Sequence, residues 1–230
     1  MNEPFSQAER QALYRVMELR RDIRHFSSEP IPTEILERIL EAAHIAPSVG
    51  FMQPWNFILI SSLQIRQSIK TLFEETNRAE LAKITEQERK ELYRSLKLEG
   101  ILEAPLNIAV TCDRERDAPF VLGRGAMPEM DLFSTCLAIE NLWLAARAEG
   151  IGIGWVSLFD RPSLEKLLEL PHNVRLVAYL CAGYPLEFRA KPLLEEVGWK
   201  NRLNLANLVY HDKWGEISPL FGNEKNHPSL

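Results

Sequence analysis

Apolar positions at Ala12, Leu13, Val16 and Leu19 recur at helical spacing, directly after Ser6-Gln7-Ala8-Glu9. That tetrapeptide has the form of a capping box, in which Ser and Glu satisfy the first free amides of a helix reciprocally. A second apolar stripe, Ile35, Leu36, Ile39, Leu40 and Ala43, opens at Pro32-Thr33 and is broken by Pro47-Ser48-Val49-Gly50. Short apolar runs predict strands at 57–60, 106–112, 153–158 and 174–181, with a short helix at 162–170. Residues 74–99 carry dense charges of both signs and predict an exposed helical excursion, which charge pattern alone reads as a solvated helix pair. Residues 131–149 are apolar around most of their circumference, predicting a central helix buried on several sides and ended at Gly150. The order lacks steady βαβ alternation. It predicts an α+β layer of four or five strands packed by long helices, in one domain spanning 1–230 with a C-terminal arm over 199–230.

Composition narrows the function classes. A net charge of −5 over 230 residues gives no general basic face for nucleic acid, though one local phosphate pocket stays open. No apolar run approaches the roughly 18 residues that a membrane span needs, and MNEPFSQAER lacks a signal-peptide pattern. The expectation is a cytoplasmic protein with no membrane or nucleic-acid partner. Cys112, Cys136 and Cys181 sit far apart in apolar surroundings and are expected to be reduced, buried core residues. His44, His172 and His211 show no metal-ligand spacing, so no metal is expected.

Several motifs carry candidate chemistry. Arg20-Arg21-Asp22-Ile23-Arg24 offers planar, permanently charged forks for a phosphate or a carbonyl-rich ring edge; from the motif alone a solvated helix end is slightly favoured. In Pro47-Ser48-Val49-Gly50-Phe51-Met52-Gln53-Pro54-Trp55, the prolines stiffen the backbone while Ser48 and Gln53 supply polar groups. Such a loop suits a heteroaromatic ring with polar edges, and also a rigid helix-to-strand connection. Gly150-Ile151-Gly152-Ile153-Gly154-Trp155-Val156-Ser157 follows a helix and enters a strand, the reverse of a dinucleotide fingerprint. Its glycines read instead as close approach of another backbone or a flat ligand, with Ser157 at the strand end. A turn carrying Arg189 and Lys191 could complete a phosphate clamp with Arg20.

Together these motifs resemble the nitroreductase-like flavoproteins, whose pattern begins Arg-Arg-Ser-x-Arg-x-Phe and continues with a Pro-Ser-x-x-x-x-Gln-Pro-Trp-x-Phe loop. Here the first reads Arg20-Arg21-Asp22-Ile23-Arg24-His25-Phe26, with a carboxylate where most members carry a small hydroxyl. With Met127-Pro128-Glu129-Met130-Asp131-Leu132 and Gly154-Trp155-Val156-Ser157, the chain is similar to the flavin-fragmenting 5,6-dimethylbenzimidazole synthase branch. The resemblance implies a mixed four- to five-stranded sheet flanked by helices, in a homodimer with exchanged terminal segments, the flavin at the interface and 74–99 as a lid. It implies reduced FMN as substrate, O2 as co-substrate, and either NAD(P)H or a separate flavin reductase as the source of electrons. Products would be dimethylbenzimidazole, the lower ligand of cobalamin, and a four-carbon sugar phosphate. By position, Arg20, Arg21, Asp22, Ile23, Arg24, Ser48, Gln53, Leu106, Asn107, Ser157 and Arg189 would bind FMN, and Asp22 and Ser157 would serve the chemistry. An ion pair with the neighbouring arginines is the structural alternative for Asp22, and would depress its pKa.

Two other functions share these motifs. One is an NAD(P)H-dependent nitroreductase or dehalogenase that retains its flavin; the other is a non-catalytic FMN carrier.

Overall fold

A computed structural model describes residues 3–221. The chain divides into two compact units, Leu19–Phe188 and Met1–Glu18 with Arg189–Leu230. Residues 222–230 of the expected arm lie outside the described residues.

The larger unit is built on a four-stranded sheet. Its strands are β1 (Trp55–Ile60), β2 (Leu106–Asp113), β3 (Gly152–Val156) and β4 (Val174–Gly183), in the order β1-β2-β4-β3. All neighbouring strands pair antiparallel; the parallel component is a bridge between Asp22 and Ile153. Because side chains alternate along a strand, β2 sends Ile108 and Val110 to one face and Ala109 to the other.

On the first face lie α2 (Thr33–His44) and α5 (Met130–Ala148). They bury Ile39, Ala43, Ile139, Leu142, Trp143 and Ala146 against Ile153, Leu180 and Ala182. On the second face lie α3 (Leu63–Lys83) and α6 (Arg161–Leu167), with Ile69, Phe73 and Leu164 against Ala109, Val156 and Tyr179. Helices on both faces of an antiparallel sheet make the α+β fold that the pattern predicts.

Local signals account for the element ends. The capping box opens α1 (Gln7–Leu19), where the amide of Ser6 donates to Glu9 Oε2 at 2.8 Å. Gly150, at φ 78°, ends α5 in a Schellman motif: Ile151 N donates to Ala146 O at 2.8 Å and Gly150 N to Arg147 O at 3.2 Å. Asp160 caps α6 by accepting from Ser163 N at 3.0 Å. The helix leading into the charged excursion begins at Leu63, earlier than expected; Ile69 and Phe73 anchor its first half in the core, whereas α4 (Gln87–Ser95), within the excursion, has no buried residue.

Two expectations need correction. Cys136 is exposed, whereas Cys112 and Cys181 are buried. Its exposure reflects the packing of α5, which buries one face and leaves the stripe Phe133, Cys136, Leu137 and Glu140 open. The third strand also stops at Val156, so Ser157 stands one residue beyond it and is exposed. Among the described residues, no helix is long and apolar enough to cross a membrane, and no cluster of three metal-ligating side chains occurs.

Candidate active site

The edge strand β3 pairs with β4 on one side, which leaves its other side needing partners. Residues 22–24 supply them. Ile23 N donates to Ile153 O at 2.9 Å, Asp22 Oδ1 accepts from Trp155 N at 2.9 Å, and Arg24 Nη2 donates to Trp155 O at 2.7 Å. The basic run is therefore an edge-closing segment, not a solvated helix end. Its approach is close enough to require the glycines of β3. A Cβ on Gly154 would lie 2.1 Å from Ile23 O and 2.9 Å from Arg24 Nη1, and one on Gly152 would lie 2.8 Å from Ile23 Cγ1.

Asp22 also accepts from Arg24 Nη2 on its second oxygen, at 2.5 Å. Burial against β3 outweighs Arg24, the Trp155 amide and Arg20, and holds the carboxyl above the ordinary aspartate range. This corrects the expectation that the arginines would depress it. The Asp22 side chain nonetheless remains 45% exposed.

Arg24 is more enclosed, at 13% exposure, and its Nη1 is buried without a hydrogen-bond partner in the chain. An unpartnered buried donor is costly, and this one is packed against Gly154, 2.9 Å from where a Cβ there would stand. Arg20 stacks on Trp143, with its guanidinium carbon 4.6 Å from the ring centroid, and its Nε lies 3.7 Å from Glu140. Arg21 Nη1 donates to Arg20 O at 2.7 Å.

The Ser48 loop is held elsewhere on α5. Ser48 Oγ accepts from Gln53 N at 3.0 Å, and Val49 N donates to Ser134 Oγ at 3.0 Å. Positive φ angles at Phe51 (58°) and Gln53 (49°) keep the loop in a conformation that side chains disfavour. Arg116 pins it by donating to the carbonyls of Gln53 and Trp55 and to Asn56 Oδ1.

The structure thus brings Arg20, Arg21, Asp22, Ile23 and Arg24 together at the Trp155 end of β3, two residues before Ser157. Ser48 and Gln53 sit apart from them: Ser134 and Trp143 are nine positions apart on α5, about 13 Å at 1.5 Å per residue. Leu106 is half-buried at the start of β2. Asn107 is fully buried and accepts from Tyr179 OH at 2.6 Å. Arg189 belongs to the smaller unit and pairs with Glu196 at 2.7 Å.

Two further residues carry contacts that their sequence context does not assign them. Arg116 gives no signal beyond its place in an arginine-containing loop. Asp131 is fully buried at the start of α5 between Arg114 Nε (3.1 Å) and Arg124 Nη2 (2.7 Å). An acid opening so apolar a helix was the available clue.

These features define a class: a three-layer α+β protein whose edge strand is closed by an arginine-rich segment. A model of the nitroreductase family matches residues 17–184, and the chain belongs to that family. It is 43% identical over 198 residues to a 5,6-dimethylbenzimidazole synthase of Rhodospirillum rubrum, covering 86% of this chain and 93% of that one. It is 41% identical over 199 residues to a 5,6-dimethylbenzimidazole synthase of Rhodobacter capsulatus, covering 86% and 96%. Among solved structures, oxidized iodotyrosine deiodinase bound to FMN and 3-iodo-L-tyrosine shares the fold, with a TM-score of 0.69 at 24% identity over 88% of this chain and 100% of that one.

Proposed function

We propose that the chain makes 5,6-dimethylbenzimidazole by O2-dependent fragmentation of reduced FMN. The carrying observation is Asp22: a carboxylate with raised pKa, held by Trp155 N and Arg24, whose side chain is 45% exposed. Its place within the arginine run, together with the similarity to named synthases, favours this reading over a reductase that retains its flavin.

Arg24 would meet the pyrimidine carbonyls of the flavin, and Arg20 and Arg21 its phosphate, with Arg189 a further phosphate ligand. Ile23 supplies backbone to the same wall; Leu106 and Asn107 would approach ring or sugar. Bound reduced FMN supplies the electrons for O2 and the ring that is cleaved, leaving a four-carbon sugar phosphate from the ribityl chain. Asp22 would take a proton from carbon or oxygen of that chain, a step that fragmentation needs and hydride transfer does not. The raised pKa suits a base, which works best when its pKa approaches the working pH. Ser157 would donate a hydrogen bond to the flavin or to bound oxygen.

The active form in this reading is a homodimer. Ser48 and Gln53 are held at the Ser134 end of α5 and the arginine run near its Trp143 end. The open stripe Phe133, Cys136 and Leu137 lies between the two groups. Antiparallel pairing of two such stripes about a two-fold axis would carry the Ser48 loop of one copy to the Arg20 end of the other. Exchange of the terminal segments and closure of 74–99 as a lid complete the proposal. Electrons reach the flavin from NAD(P)H or from a separate flavin reductase.

The test incubates purified protein with reduced FMN and air. Mass spectrometry is expected to find dimethylbenzimidazole in step with FMN loss. Full recovery of intact FMN would overturn the proposal.

A further inference from the structure

The first two arginines of the run share one anchor. Arg20 lies over the face of Trp143, and Trp143 Nε1 donates to the carbonyl of Arg21 at 3.3 Å. The indole is itself fixed, being part of the core between α5 and the sheet and 6.3 Å from the ring of Trp155. The other neighbour of Arg20 is weaker: Glu140 stands 3.7 Å away on the open stripe of α5, where an ion pair contributes little. The ring face therefore sets where the Arg20 guanidinium lies.

Stacking has a chemical consequence. A guanidinium held over an indole face is fixed by a contact that uses none of its N–H donors. Those donors form the fork that a phosphate accepts in bidentate fashion. From these contacts we infer that Trp143 is a positioning residue for the flavin phosphate, acting through Arg20 and, by its Nε1 donor, through the backbone of Arg21. The inference rests on the flavin reading above.

The test compares FMN with riboflavin, which lacks the phosphate, by quenching of flavin fluorescence on binding. A stacked cation contributes a few-fold to about thirtyfold in affinity, so Trp143→Met is expected to weaken FMN about tenfold and leave riboflavin within about twofold. Trp143→Phe keeps a weaker aromatic face and is expected to lose about threefold, again for FMN alone. Adding Trp143→Met to Arg20→Ala should cost no more than about a further twofold, because the two act as one unit. Equal losses for FMN and riboflavin, or losses that multiply in the double variant, would show that Trp143 only fills the core. If Trp143→Met does not fold, Trp143→Phe decides the question by the same comparison. Wild-type protein that binds neither flavin overturns the flavin reading itself. FMN affinity lost in Arg20→Ala but kept in both Trp143 variants overturns the positioning role alone.

Discussion

Adding one methyl group at Gly154 is expected to do more damage than at any other glycine of its motif. The new Cβ would stand 2.1 Å from Ile23 O, 3.3 Å from Ile23 C and 2.9 Å from Arg24 Nη1. Two of these atoms are backbone, so no rotamer change relieves the contact and residues 22–24 must move off β3. Three hydrogen bonds then weaken together: Ile23 N to Ile153 O, Trp155 N to Asp22, and Arg24 to Trp155 O. A neutral hydrogen bond contributes about 1 kcal/mol and one to a charged group about 1.5–3 kcal/mol. The Asp22 bond takes the low end because that side chain is 45% open. With partial relaxation, the expected loss for Gly154→Ala is about 2–5 kcal/mol.

The neighbouring glycines supply the scale. At Gly152 the added Cβ meets only the Ile23 side chain, at 2.8–3.1 Å, for an expected cost of about 1–2 kcal/mol. Gly150 faces open space, so Gly150→Ala costs about 1 kcal/mol, from its left-handed φ of 78° alone. Urea denaturation would measure all three variants, with FMN titration reporting on the arginine run. The reasoning fails if Gly154→Ala loses less than Gly150→Ala, or if it binds FMN as tightly as wild type.

Three other outcomes follow from the same geometry. Folding raises the Asp22 carboxyl above its usual 3.8, so just above that pH the native chain holds a proton that the unfolded chain has released. Stability should therefore fall as pH rises through that window, and Asp22→Asn should flatten the slope of the urea midpoint against pH. Asp131→Asn leaves Arg114 and Arg124 without their buried counter-charge; both arginines are partly hydrated, so the expected loss is about 2–4 kcal/mol, seen as a lower Tm. Leu137→Lys places a charge in the middle of the open stripe and, in the proposed homodimer, should shift size-exclusion elution from dimer to monomer; unchanged elution as a dimer would exclude pairing through this face.

Much of the fold was legible because local chemistry and tertiary packing agree. The capping box, the Pro-broken second helix and the Gly150 terminus depend on a few adjacent residues, and strand positions follow from short apolar runs. What stayed hidden depends on distant partners. The glycines of β3 announced a close approach but not that Ile23 makes it. Apolar residues around most of α5 could not reveal which stripe stays open, so Cys136 was misplaced. Arg116 and Asp131 draw their roles from contacts 60 and 17 residues away, respectively, in sequence. The upward shift of Asp22 was equally out of reach: charges can be counted in a sequence, whereas desolvation needs the packed strand.

The edge of β3 also separates what Asp22 does for the fold from what it offers to chemistry. The strand needs an acceptor opposite Trp155 N, and a serine hydroxyl at position 22 could provide one. It does not need the second carboxylate oxygen, because Arg24 Nη2 already reaches Trp155 O. The charge on Asp22 is therefore surplus to edge closure, and it is the feature that distinguishes this run from the family pattern with a hydroxyl. Asp22→Ser should accordingly keep the fold and bind FMN within about tenfold of wild type, since one charged hydrogen bond is the largest interaction lost. Formation of dimethylbenzimidazole should disappear. Product formation at the wild-type rate would remove Asp22 from the chemistry; loss of flavin binding along with product would return it to a purely structural role.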